Sequence, residues 1–225
     1  SELELGNSVP PVGILRGRAH VAPDFFVPSW MVDGPSARRS PFRIATMAEL
    51  HPRKGILELV EGFLSWVEAN DLAGKVELVV GGASRPGYEW YLEKVKAGLN
   101  GSAHADAVKF VGAVRHEARP EFYSAADVFV VASHFESFGL TVLEALASGC
   151  KVVTSPKLGV LEFVSHRTEV TIARSGAAAD LANALDAAYC ATNPTPSAPA
   201  GEPVGDEMNR TALSVWQAML GLSAA

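Results

Sequence analysis

From residue 42 onward the chain alternates short apolar runs with amphipathic segments, and this alternation constrains its fold more than any other feature. Residues 43–48 read as a strand, and the next stretch sets Ile56, Leu59, Val60, Phe63 and Val67 at helical spacing, with Glu58, Glu61, Ser65 and Glu68 opposite. Further strands are predicted at 75–80, 108–111, 127–131, 151–154 and 169–172. Between them lie a helix opened by Pro86 with Leu92, Val95 and Leu99 on one face, and a short helix around 120–126. An unusually apolar helix follows at about 139–147, then one carrying Leu181, Leu185 and Ala188. Trp66 and Trp90 read as helix packing residues. Several strands are continuous apolar runs, the pattern of a parallel sheet covered on both faces. The expected fold is therefore α/β, a Rossmann-like doubly wound parallel sheet of about six strands. Its ligands would sit beyond the carboxyl ends of the strands, where strand order reverses.

Residues 1–41 are rich in Pro, Gly and Ser, hold no sustained period and read as an irregular segment. Residues 42–190 form the expected domain, and 191–225 a Pro/Ala linker and a closing helix with Val215, Trp216 and Met219 on one side. With 225 residues, 48% of them hydrophobic, there is apolar mass for one real core. A net charge of -6 speaks against a broad nucleic-acid surface, so an anionic partner must be held by a small cluster of cations. Apolar runs fall short of the roughly 18 residues a membrane span requires. The acidic start, Ser1-Glu2-Leu3-Glu4-Leu5, lacks a secretory layout, and the expected location is cytoplasmic. The two cysteines, Cys150 and Cys190, have neither zinc-site nor disulfide-framework spacing, and Cys150 reads as a buried small hydrophobe.

Familiar phosphate motifs are missing. Gly82 to Gly87 has Walker-like spacing, but Tyr88-Glu89 follows where Lys-Ser/Thr is needed. What remains is His134-Phe135-Glu136-Ser137-Phe138-Gly139-Leu140-Thr141-Val142-Leu143-Glu144. The helix from Leu140 is apolar almost all round, so it is expected between the sheet and another layer, with Glu144 inside it. A carboxylate in such a place demands partners. Glu136 sits at the preceding strand-to-helix turn. The amides of about 138–141 offer an anion site at the helix N-terminus, and carboxylates accept paired hydrogen bonds from vicinal hydroxyls. Phosphate plus diol is the ligand chemistry that suits this arrangement, provided both acids face an open crevice. The plainer alternative is that Glu144 pairs with a basic group and Glu136 is a solvated loop residue.

The stretch from Glu136 to Glu144 resembles the E-x7-E signature of the retaining GT-B glycosyltransferases of glycosyltransferase family 4. Other segments agree in order and spacing. Val108-Lys109-Phe110-Val111-Gly112 is similar to the family's strand-and-glycine segment, and Ala125-Ala126-Asp127-Val128 to its A-A-D strand. Ala147-Ser148-Gly149-Cys150-Lys151-Val152-Val153 is similar to its A-x-G-x-P-V-V, with Lys151 in place of proline, and Arg53-Lys54-Gly55 to its first-strand loop. The resemblance implies one half of a GT-B fold, the C-terminal donor-binding half. Its partners would be a nucleotide-diphosphate sugar, an acceptor of unknown kind, and an N-terminal acceptor domain or partner subunit that residues 1–41 cannot supply. It further implies that Lys54 contacts the diphosphate and Glu136 the transferred sugar, the two placed as the catalytic pair. Ser137, Phe138, Gly139, Leu140 and Thr141 would lie against sugar and phosphate, Glu144 would bind the ribose, and Val114 would border the base. Catalysis would need no metal and no cofactor.

The chain departs from that family in its first-strand loop. Where the family carries an arginine five or six residues before the lysine, this chain has Glu49 and Ala48, which leaves Arg53 as the substitute cation. Glu49 near a diphosphate is repulsive unless it points away. Alternative readings are a non-catalytic nucleotide-sugar-binding or regulatory subunit, and an epimerase or phosphorylase-like enzyme on the same architecture. Secondary candidates are His134 toward the acceptor, His51 as an added phosphate contact, Glu162 near the donor, and Arg115 and Arg119 flanking the base.

Overall fold

The computed structural model describes residues 14–15, 18–19 and 40–192. The linker, the closing helix with Trp216 and most of the N-terminal segment lie outside the described residues. Within that segment, Ile14–Leu15 and Arg18–Ala19 pair as an antiparallel two-residue hairpin.

Six strands form the main sheet: β1 (Phe42–Met47), β2 (Val76–Gly81), β3 (Val108–Gly112), β4 (Val128–Val131), β5 (Lys151–Thr154) and β6 (Val170–Ile172). All neighbours are parallel, in the spatial order β3-β2-β1-β4-β5-β6. Order therefore reverses between β1 and β4, which makes the ends of these two strands the switch point of the sheet. The helices are α1 (Ile56–Ala69), α2 (Glu89–Ala97), α3 (Arg119–Ser124), α4 (Leu140–Ala147), α5 (Leu161–Val164) and α6 (Ala178–Thr192).

Strand alternation divides the core in two. Val128 and Val130 of β4 face α1, α2 and α6, joining Leu59, Val60, Phe63, Leu181 and Leu185. Phe129 and Val131 face the other way, onto Val142, Ala145 and Leu146 of α4 and Leu161 and Val164 of α5. Trp66 is buried and donates its indole N–H to Asp186 at 3.0 Å, which ties α1 to α6. Lys151, at the family's proline position, donates to the carbonyl of Ala191 at 2.7 Å and so straps β5 to the end of α6.

Three expectations need correction. Trp90 is 53% exposed, because α2 buries Tyr91 and Val95, four apart on one face, and turns Trp90 outward. Pro86 does not open α2; it precedes the helix by three positions, in a turn where Tyr88 N–H bonds to Arg85 C=O at 2.8 Å. Finally, α4 buries only Val142, Ala145, Leu146 and Ala147, whereas Leu140 is exposed and Glu144 lies half-covered on the outer face. The Glu144 side chain is 23% exposed, at the margin of the buried face rather than within it.

Candidate functional site

The switch point brings together two loops that are distant in sequence. The loop after β1 turns through a short 3-10 segment, Pro52–Lys54, capped by His51, whose Nδ1 accepts from the Arg53 N–H at 3.3 Å. Gly55 follows with φ +64°, and a Cβ on it would meet the Ala132 carbonyl oxygen at 2.2 Å. Only glycine lets this loop press against the loop after β4. His134 N–H then donates to Arg53 C=O at 2.8 Å, zipping the two backbones together.

Glu136 is held on three sides. Its Oε1 accepts from Lys54 Nζ and from Ser133 Oγ, the latter at 2.8 Å, while Arg53 Nη1 stands 3.9 Å from Oε2. Burial alone would push its pKa up. The hydrogen bonds from Lys54 and Ser133 and the charges of Lys54 and Arg53 outweigh burial and hold the carboxyl below its usual range. Its backbone is clamped as well: Glu136 N–H donates to Lys157 C=O at 3.0 Å, and Gly159 N–H donates to Glu136 C=O at 3.2 Å. Gly159 is forced by the same contact, since a Cβ there would lie 2.2 Å from the Ser137 carbonyl oxygen. Glu136 is therefore neither a free acid nor a solvated loop residue. It is ion-paired to the two cations expected to meet a diphosphate.

Directly after it, Ser137 is exposed and Phe138 and Gly139 are half-covered, with Gly139 as the N-cap of α4 and no side-chain cap bond. The first-turn amides of Leu140 and Thr141 lack acceptors within the helix, as at any α-helix start. Glu144, one turn on, accepts from Tyr123 OH at 2.5 Å and lies 4.0 Å from Arg119 Nη1. The loops after β1 and β4 thus bring Lys54, Arg53 and Glu136 into contact.

Val114 lies elsewhere, lining a cavity of about 340 Å³ under α3 with Val79, Val111, Arg115 and Phe122. Neither Glu136 nor Glu144 lines that cavity. Glu49 lies 4.0 Å from Arg85 and 3.8 Å from His51.

Two secondary candidates change role. His51 is 5% exposed; burial, then the charge of Arg53, lowers its pKa against the opposing pull of Glu49, so it caps the turn as a neutral imidazole. His134 pairs with Glu58 of α1 at 3.2 Å rather than standing free. Glu162 is exposed in the first turn of α5, next to the Gly159 contact. Sequence reasoning passed over Ser133, Tyr123 and Arg85. Ser133 and Tyr123 carried a weak signal, being polar groups beside strand and helix ends that turn out buried.

No helix among the described residues is long and apolar enough to cross a membrane. Among curated proteins, the mannosylfructose-phosphate synthase of Agrobacterium fabrum is 33% identical over 124 residues, 55% of this chain and 27% of that protein. The D-inositol 3-phosphate glycosyltransferase of Geodermatophilus obscurus is 40% identical over 111 residues, 48% of this chain and 24% of that protein. The chain thus spans about a quarter of the length of these relatives. Among solved structures, Anabaena HepE in complex with UDP and glucose aligns with TM-score 0.63 at 20% identity, over 81% of this chain and 49% of that one. The C-terminal domain of a glycosyl transferase group 1 family protein, LpcC, from Francisella tularensis aligns with TM-score 0.66 at 18% identity, over 83% of this chain and 97% of that one. These likenesses match the Rossmann-like architecture to one half of a GT-B glycosyltransferase. Residues 41–190 match the family described as glycosyl transferases group 1, and the chain belongs to that family.

Proposed function

We propose that this chain is the donor-binding domain of a retaining, family 4-like glycosyltransferase that takes a hexosyl group from a nucleotide-diphosphate sugar. The observation that carries the reading is the meeting of Lys54, Arg53 and Glu136 at the switch point, directly before the N-terminus of α4. Two cations and a row of helix amides suit a diphosphate. The relatives named above as synthase and glycosyltransferase support a transfer reaction, and the bound UDP and glucose of HepE support the donor class.

In the ligand-free site the acid and the cations satisfy one another. An arriving diphosphate takes over Lys54 and Arg53 and releases the Glu136 oxygens to the hydroxyls of the sugar. Glu144 takes the ribose, the backbone of Ser137, Phe138 and Gly139 lies against sugar and phosphate, and Leu140 and Thr141 offer amides. In the transfer itself the bond from the anomeric carbon to the diphosphate oxygen breaks as an acceptor hydroxyl attacks from the same face. The hydroxyl proton passes to the departing phosphate, yielding a glycoside and a nucleoside diphosphate. Lys54 and the amides stabilise the charge on the leaving group, so the step calls for neither metal nor cofactor. The acceptor side belongs to a second domain or a partner subunit.

Calorimetric titration with UDP, GDP and ADP tests the reading: one of them binds and the other two bind more weakly. Failure of all three overturns it. Sugar transfer by this chain alone would overturn the need for a second domain. The alternative, a non-catalytic nucleotide-sugar-binding or regulatory subunit, draws on the same Glu136–Lys54 pair, which engages the acid in a closed contact. It predicts that nucleotide binds while the chain, joined by its acceptor half, turns nothing over.

A further inference from the structure

Glu144 is gripped by two residues of α3 set one turn apart. Tyr123 donates its phenolic proton to Oε2 at 2.5 Å, and Arg119, four positions earlier, holds Nη1 4.0 Å from Oε1. Side chains at i and i+4 share a helix face, so α3 presents both groups to one carboxylate. The two holds differ in kind. Tyr123 is 0% exposed, with its ring packed on Phe129 at a centroid distance of 4.9 Å. Burial, together with the adjacent Glu144 charge, pushes its pKa up, so the phenol remains a donor. The Arg119 side chain is 37% exposed and its contact is longer than a hydrogen bond. Its Nε is buried without a partner. One hold is built into the core, and the other is free to exchange.

We propose that Tyr123 is a positioning residue for ribose recognition. It pins Oε2 and thereby aims Oε1 of Glu144 outward, where Arg119 occupies it until the diol of a nucleoside diphosphate arrives. The inference rests on the assignment of Glu144 to the ribose. A carboxylate accepts two hydroxyl donors together only if its plane is fixed. The phenol fixes it and uses one acceptor site of Oε2, leaving the other and both on Oε1 for the diol. Arg119 neutralises the acid in the empty site and yields to the ligand.

The experiment is titration of the wild-type chain, Tyr123→Phe and Arg119→Gln with UDP, GDP and ADP and with their 2′-deoxy forms. Wild type prefers the ribose form of its best nucleotide by about tenfold, the effect of a lost charged hydrogen bond. Tyr123→Phe keeps the buried ring. Its preference falls below about threefold, while its affinity for the deoxy form changes less than about twofold. Arg119→Gln keeps the preference. A phenol that only supports the fold would lower the melting temperature and leave the preference intact; that result overturns the inference while the ribose assignment stands. A preference lost equally in Arg119→Gln also overturns it. Wild type that binds no nucleotide, or binds both forms alike, overturns the ribose assignment and this inference with it. Should Tyr123→Phe not fold, 3-fluorotyrosine at position 123 supplies a stronger donor of nearly the same shape. It raises the preference, and an unchanged value refutes the role.

Discussion

Lys54 and Glu136 are 82 positions apart in sequence, yet the lysine ammonium donates directly to Oε1 of the acid. The pair joins the loops after β1 and β4 at the point where the sheet reverses order.

The first prediction concerns the lysine. Lys54→Gln removes a charge-assisted contact worth roughly 1.5–3 kcal/mol and weakens nucleoside diphosphate binding by about tenfold to a hundredfold. The monophosphate, which lacks the outer phosphoryl group, loses less. Titration of both ligands against wild type and variant checks it, and equal losses would place Lys54 away from the diphosphate.

Gly55→Ala strikes the junction of the two loops. The added Cβ meets the Ala132 carbonyl oxygen at 2.2 Å in a residue at φ +64°. Both the left-handed strain and the clash disfavour it, so stability falls by roughly 2–4 kcal/mol. Denaturant unfolding measures that loss, and nucleotide affinity falls with it because the adjacent Lys54 is displaced from the switch point.

Acid sensitivity traces to a second carboxylate. Glu77 of β2 is 3% exposed and accepts from Arg43 at 2.6 Å and Lys109 at 2.5 Å. Burial would raise its pKa, but the two cations lower it further than burial lifts it. A depressed carboxylate stabilises the fold fully above its unfolded value of about 4.5 and loses that stabilisation as pH falls through the lower folded value. Glu136 acts in the same direction. Melting temperature should hold between pH 7 and 5 and drop below about pH 4.5. Glu77→Gln should lower stability at pH 7 by roughly 1–2 kcal/mol and flatten the acid limb.

Metal removal separates two ways of holding a diphosphate. With Lys54, Arg53 and the α4 amides as the positive groups, EDTA leaves nucleotide affinity within about twofold. A tenfold loss restored by magnesium would transfer that role to a metal ion.

The fold class and the strands were legible in the sequence, because they rest on local pattern. Period-2 and period-3.6 apolar spacing marks β1, α1 and β4 whatever surrounds them. Trp90 and the supposed burial of α4 were misread. Which side of a helix is covered depends on the layer packed against it, and composition does not specify that layer.

Residue order alone determined that this chain builds a doubly wound sheet and that its acids and cations cluster near strand ends. Tertiary structure alone decided that Glu136 is bound to Lys54, that Tyr123 reaches Glu144, and that His51 is a neutral cap. The first two are contacts between segments that local periodicity treats as independent, and the neutrality of His51 follows from its burial. Lys54 and Glu136 meet because the order of parallel strands places the end of β1 beside the end of β4, and because Gly55 has no side chain to hold the two loops apart.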